Sequence, residues 1–286
     1  MQSVLISAKK LASRLGDHNL HILFTHMAFP SASTIPFTQS GYINGAIAFD
    51  FEHVFVDKSS SLPHMLPSLQ VFSQQLTALG IQPKDAIVVY DNQGMFSSPR
   101  VWWMLKALGH QQVQVLDGGI EAWLTQGFAT VASLSTPVSA SETYPSPDHF
   151  THVIDKQGVQ EAMLDESCLI LDARSQARFL ANEPEPRPGV RSGHIPQSKN
   201  LHYSTLLQDG CLLDKTILRK RFEVLIAEQQ KPISKLVFTC GSGVTACILA
   251  LAANHAYATE IVDWGVYDGS WSEWGTDHTC PITSTT

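Results

Sequence analysis

Short apolar runs recur along the chain, bounded by glycine, proline or small polar residues and separated by longer stretches of helical spacing. Ala86-Ile87-Val88-Val89-Tyr90 and Leu236-Val237-Phe238 have the length and composition of buried strands. His21 to Met27 and Cys168 to Arg174 are also strand-like. Val244 to Ala253 is mostly apolar and predicts a helix directly after one of these strands. Val4-Leu5-Ile6 leads into a short amphipathic helix over Ala8 to Leu15, and Val153-Ile154 into one over Lys156 to Leu164. Ser7 and Asp155 stand between entry and helix, where a side-chain oxygen can cap the first free amides.

That last pair belongs to an internal repeat covering most of the chain. Gly41-Tyr42-Ile43-Asn44-Gly45-Ala46 matches Gly193-His194-Ile195-Pro196-Gln197-Ser198, and Val115-Leu116-Asp117-Gly118-Gly119 matches Val266-Tyr267-Asp268-Gly269-Ser270. From Gly41 to Asp91 is 50 residues and from Gly193 to Cys240 is 47; from Asp91 to Asp117 is 26 and from Cys240 to Asp268 is 28. Chance similarity does not hold such a register. Strands alternating with helices predict an α/β fold, with a parallel sheet flanked by helices in each half. The expected boundaries are a first domain over 1–135, a linker over 136–149, rich in Ser, Thr, Ala and Pro, and a second domain over 150–286. Thr276 to Thr286 is polar and expected to fray. Trp102, Trp103, Trp271 and Trp274 are expected to be core or interface anchors.

Composition narrows the class. A chain of 286 residues, 44% hydrophobic, can bury two cores. Its net charge of −7, with no polybasic block, argues against nucleic acid or an anionic membrane as a partner. The apolar run Val244 to Ala253 is far short of the ~20 residues that span a bilayer, and no secretory signal precedes Lys9-Lys10, so a soluble, cytoplasmic protein is expected. Five widely spaced cysteines without a Cys-x2-Cys pair indicate neither a disulfide framework nor a zinc site, and no metal or organic cofactor is expected.

One cysteine has unusual surroundings. Cys240 ends an apolar strand and is followed by Gly241-Ser242-Gly243, a loop poor in side chains at the start of a helix. Amides converging on a helix N-terminus stabilise an anion and favour a thiolate, whereas a cysteine that only packs has no need of such a loop. Cysteine-dependent phosphatases place an arginine six positions after the nucleophile; Ala246 stands there and disfavours that chemistry. Asp91 occupies the matching position of the first half, and a carboxylate cannot carry a sulfur atom, so only the second half is expected to be catalytic.

The run Cys240-Gly241-Ser242-Gly243-Val244-Thr245-Ala246 resembles the active-site loop of the rhodanese superfamily, and the repeat extends that resemblance to nearly the whole chain as a tandem of two domains. Gly-Ser-Gly after the cysteine is similar to the 3-mercaptopyruvate sulfurtransferases; thiosulfate-specific members have Arg-Lys where this chain has Gly241-Ser242. The resemblance implies a persulfide carried on Cys240 and stabilised by the amides of Gly241, Gly243, Val244 and Thr245, with pyruvate released. It implies that Arg178 and Arg187 grip the donor's carboxylate and carbonyl, and that Ser242 works with a histidine and an acidic residue from the silent half. His64 in Pro63-His64-Met65-Leu66-Pro67 matches that histidine. The acidic member is usually the second aspartate of Asp-x-Asp; here Asp50-Phe51-Glu52 puts Glu52 in its place. The acceptor would be cyanide or a thiol such as a thioredoxin-like protein. Thiosulfate:cyanide sulfurtransferase and a non-catalytic sulfur-carrying module are the alternatives.

Overall fold

The computed structural model describes residues 3–28 and 41–284. The chain divides into two compact units: Met1–Ser59, Leu66–Thr151 and Asp209–Leu212 form one, and Ser60–Met65, His152–Gln208 and Leu213–Thr286 form the other. Each half of the sequence therefore contributes a short loop to the unit built mainly by the other.

The first unit runs β1 (Leu5–Ile6), α1 (Ala8–Ala12), β2 (Leu20–Phe24), β3 (Ala46–Ala48), α2 (Leu69–Ala78), β4 (Ala86–Tyr90), α3 (Ser98–Ala107), β5 (Val113–Leu116) and α4 (Gly119–Thr125). Its five strands are ordered β1-β5-β4-β2-β3 and every pairing is parallel. The second unit runs β6 (Val153–Ile154), α5 (Lys156–Ala162), β7 (Cys168–Asp172), α6 (Gln176–Phe179), β8 (Lys199–Asn200), α7 (Lys215–Ala227), β9 (Lys235–Thr239), α8 (Ala246–Tyr257), β10 (Asp263–Tyr267) and α9 (Ser270–Trp274). Its sheet is β6-β10-β9-β7-β8, again parallel, so the sequence repeat is also a repeat of topology.

Central strands β4 and β9 are buried on both faces, which is why they read as unbroken apolar runs rather than alternating ones. Ser7 accepts a hydrogen bond from the Lys10 amide and Asp155 from the Gly158 amide, so both halves open on a capped helix. Those helices stop at Ala12 and Ala162, earlier than their apolar spacing suggests. Helix α8 is apolar all round because nine of its residues are buried. It begins at Ala246, which leaves Val244 and Thr245 in the loop.

The segment expected to be a linker packs on the first unit: Ala140 N donates to the Thr77 carbonyl, Tyr144 N to Thr77 Oγ1, and the Tyr144 ring is buried. One expectation needs correction: the tail does not fray up to Ser284. Trp274 Nε1 donates to the Pro281 carbonyl, Thr283 pairs with His194, and Lys156 Nζ lies 2.7 Å from the Asp277 carboxylate. The four tryptophans all lie in the interior.

Candidate active site

Strand β9 ends at Thr239, and Cys240 follows at the carboxyl edge of the second sheet, the edge at which parallel α/β sheets bind ligands. Cys240 is 1% exposed, so the thiol forms the floor of its loop. The loop's outer path is fixed by α9. Cys240 N donates to Ser270 Oγ (3.2 Å), Trp271 N to the Cys240 carbonyl (2.9 Å), and Ser272 N and Oγ both to the Gly241 carbonyl (2.8 and 2.6 Å). Gly243 takes φ +76°, a left-handed turn that favours glycine. The carbonyls of residues 240 and 241 are thereby both taken up by α9.

The first unit displays what a loop of this build does. Asp91 ends β4 as Cys240 ends β9, and its buried carboxylate accepts from four backbone amides: Gln93 (3.0 Å), Met95 (2.9 Å), Ser97 (2.9 Å) and Ser98 (2.7 Å). Even the outer clamp is repeated, since Ile120 N donates to the Asp91 carbonyl as Trp271 N does to that of Cys240. This loop of the first unit is an anion cradle filled by its own aspartate.

Arg178 and Arg187 reach the Cys240 loop. A Cβ built on Gly241 would stand 3.1 Å from Arg178 Nη2, so any side chain there would push against the guanidinium. Arg187 Nη1 lies 3.4 Å from Ser272 Oγ, within electrostatic reach of Arg178, Glu185 and Cys240. Burial, and then the like charge of Arg178, hold the Arg187 guanidinium below its usual range. Beneath them Arg174 is buried against Asp172 and Glu185 and stacks 4.3 Å over the Trp271 ring.

Ser242 is nearly buried, and its Oγ is 3.2 Å from His64 Nδ1 across 178 residues of sequence. The Ser60–Met65 loop that carries His64 belongs to the second unit, and His64 itself has φ +62°. A histidine held left-handed is strained, and here its ring meets the hydroxyl two residues beyond the cysteine. Glu52 belongs to the first unit, where its Oε2 accepts from the Ala28 amide (3.0 Å). Of the site residues expected from sequence, the second unit thus gathers Cys240, Gly241, Ser242, Gly243, Val244, Thr245, Arg178, Arg187 and His64.

The Rhodanese-like domain family matches residues 7–126 and 156–277, one copy for each half. The chain belongs to the rhodanese family. This rhodanese is 38% identical to thiosulfate/3-mercaptopyruvate sulfurtransferase 1, mitochondrial, of Arabidopsis thaliana, over 98% of the chain and 78% of that protein. It is 34% identical to the 3-mercaptopyruvate sulfurtransferase of Escherichia coli, over 97% of the chain and 96% of that protein. Among solved structures, SseA from Escherichia coli, a 3-mercaptopyruvate sulfotransferase of rhodanese fold, superposes with a TM-score of 0.77 at 29% identity, covering 94% of this rhodanese and 99% of that chain.

Four residues of this site carry no motif in the sequence. Ser270 gives the Cys240 amide its acceptor and takes φ +48°, and the repeat holds the clue, because Gly119 takes φ +56° at the matching position. Ser272 joins Arg187 to the Gly241 carbonyl, and Glu185 joins Arg174 to Arg178. His202 lies near Arg178; burial, and then that positive charge, lower its basicity and favour the neutral ring.

Proposed function

We propose that this rhodanese moves sulfur from 3-mercaptopyruvate to a thiol or to cyanide through a persulfide on Cys240. The observation that carries the reading is the pairing of two arginines with a nucleophile loop that has no basic side chain of its own. Arg178 lies against Gly241 and Arg187 within electrostatic reach of Cys240. Two guanidinium forks suit a carboxylate beside a ketone, because each presents paired N–H donors in a plane.

The Cys240 thiolate attacks the donor's sulfur, forming a sulfur–sulfur bond as the carbon–sulfur bond breaks. The bonding pair leaves with the three-carbon fragment as the enolate of pyruvate, which the arginines stabilise. The donor's thiol proton stays with the outer sulfur, and the enolate takes a proton through Ser242, whose hydroxyl is in hydrogen-bond contact with His64. The loop amides shelter the persulfide as those of residues 93 to 98 shelter the Asp91 carboxylate. A thiolate or cyanide then takes the outer sulfur and returns Cys240. Glu52 is the acidic member proposed to orient His64. A thioredoxin-like protein as acceptor and a cytoplasmic setting complete the reading.

Turnover measured with 3-mercaptopyruvate and with thiosulfate, cyanide being the acceptor for both, tests the donor. A higher kcat/KM for 3-mercaptopyruvate is expected, and a preference for thiosulfate overturns the assignment. Intact mass tests the carrier: exposure to donor adds one sulfur, about 32 Da, to the wild type and nothing to Cys240→Ser. No gain in the wild type, or an equal gain in the variant, points to a module that binds without transferring.

A further inference from the structure

One carboxylate stands between two of the site's arginines. Glu185 Oε1 accepts from Arg174 Nη1 (2.7 Å) and Arg178 Nε (3.3 Å), and Oε2 accepts from Arg178 Nη2 (2.5 Å). Its side chain is 4% exposed, so these are shielded, charge-assisted bonds rather than the weak pairing of a protein surface. Arg174 is already committed elsewhere, to Asp172 at 2.7 Å and to the Gly193 carbonyl at 2.8 Å. Asp172 therefore balances Arg174 and Glu185 balances Arg178, which leaves Arg187 to face the Cys240 thiolate and the donor.

We propose that Glu185 cancels one of the donor site's positive charges and thereby selects a singly charged donor over a doubly charged one. It acts through Arg178, as a positioning and specificity residue, and the inference rests on the donor reading above. Glu185 Oε1 and Oε2 occupy Nε and Nη2 of Arg178, which fixes the plane of the guanidinium lying on Gly241. A monocarboxylate meets the guanidinium of Arg187. A dianion brings a second negative charge that finds no counterion and is repelled by Glu185 and by the Cys240 thiolate, in a site that water only partly screens.

The test compares kcat/KM for 3-mercaptopyruvate and for thiosulfate, with cyanide as acceptor, in the full-length wild type, Glu185→Gln and Glu185→Asp. Glu185→Gln keeps an acceptor for Arg174 but removes the charge. It is expected to shift the ratio towards thiosulfate by roughly tenfold, chiefly through a lower KM for thiosulfate, the size of effect one unit of charge produces over several Å in a partly screened site. Glu185→Asp keeps the charge on a shorter arm, and is expected to keep the wild-type ratio while slowing both donors. A role in stability alone would slow both donors in proportion, so an unchanged ratio in folded Glu185→Gln overturns the proposal, as does an equal shift in Glu185→Asp. If Glu185→Gln does not fold, His202→Lys adds a positive charge near Arg178 and leaves the ion pairs in place. It must shift the ratio the same way, and no shift overturns the proposal. Failure of the donor reading shows separately, in the wild type alone, as a preference for thiosulfate.

Discussion

Asp91 brings two acceptor oxygens to its loop, and the four buried amides that bond to them have no other described acceptor. Replacing it by alanine strands those donors in the interior, and each unsatisfied buried donor costs about 1–3 kcal/mol. Asp91→Ala is therefore expected to lower unfolding stability by at least about 3 kcal/mol in a denaturant titration, with Asp91→Asn intermediate, because its amide nitrogen cannot accept from the pair of amides that the second carboxylate oxygen serves. At Ser270 one hydroxyl donates to the Tyr267 carbonyl and accepts from Cys240 N and Thr239 Oγ1. Ser270→Ala leaves the Cys240 amide without its acceptor, and a loss of about 1–3 kcal/mol with a fall in kcat is expected from melts and kinetics on the same preparation. Arg187 makes a different prediction, because its role lies with the donor's charge. Arg187→Ala is expected to raise KM for 3-mercaptopyruvate about 10- to 100-fold, the usual worth of a charge-assisted hydrogen bond, while leaving the melting temperature near that of wild type.

Among the elements, α9 does more than its five residues suggest. It supplies the three donors and the acceptor that clamp Cys240 and Gly241, and the segment after it is pinned by Arg191, whose guanidinium donates to the carbonyls of Trp274, Gly275, Asp277 and Cys280. Polar composition suggested a loose end here, yet those polar groups have partners: Thr283 with His194, Asp277 with Lys156, and the Pro281 carbonyl with Trp274. Ending the chain after Gly275 removes these contacts and exposes Trp274, which is now fully buried. Such a truncation is expected to cost more than about 3 kcal/mol, the scale of opening a site around a large aromatic side chain, and to depress sulfur transfer, as denaturation and turnover assays would record.

Across the molecule, buried and half-buried histidines contribute to the response to acid. Burial, then Lys215, lower His255 from its ordinary 6.5 to about 4, and burial likewise lowers His110, His194 and His202. A histidine less basic in the folded state binds its proton more readily once the chain unfolds, so stability rises with pH wherever that difference operates. The contribution of His255 is complete above pH 6.5 and is lost as pH falls through the interval down to about 4. Denaturation midpoints should fall on that acid limb, and His255→Leu, which removes a buried ring nitrogen, should flatten it. Equal pH dependence in the variant would show that other groups carry the acid response.

The sequence by itself determined the two units, their parallel sheets, the half that holds the cysteine and the loop around it, because these follow from local apolar spacing and from a repeat that keeps its register. Arg178 and Arg187 were legible for a related reason, lying on one short segment with a recognisable pattern. What the tertiary structure alone decided is which distant groups meet. Cys240 N finds Ser270, one buried carboxylate divides itself between Arg174 and Arg178, and the tail is held by Arg191. A polar side chain announces in sequence only that it needs a partner. Which partner it gets depends on where the carboxyl ends of the strands deliver their loops, and that is fixed by the packing of the whole sheet.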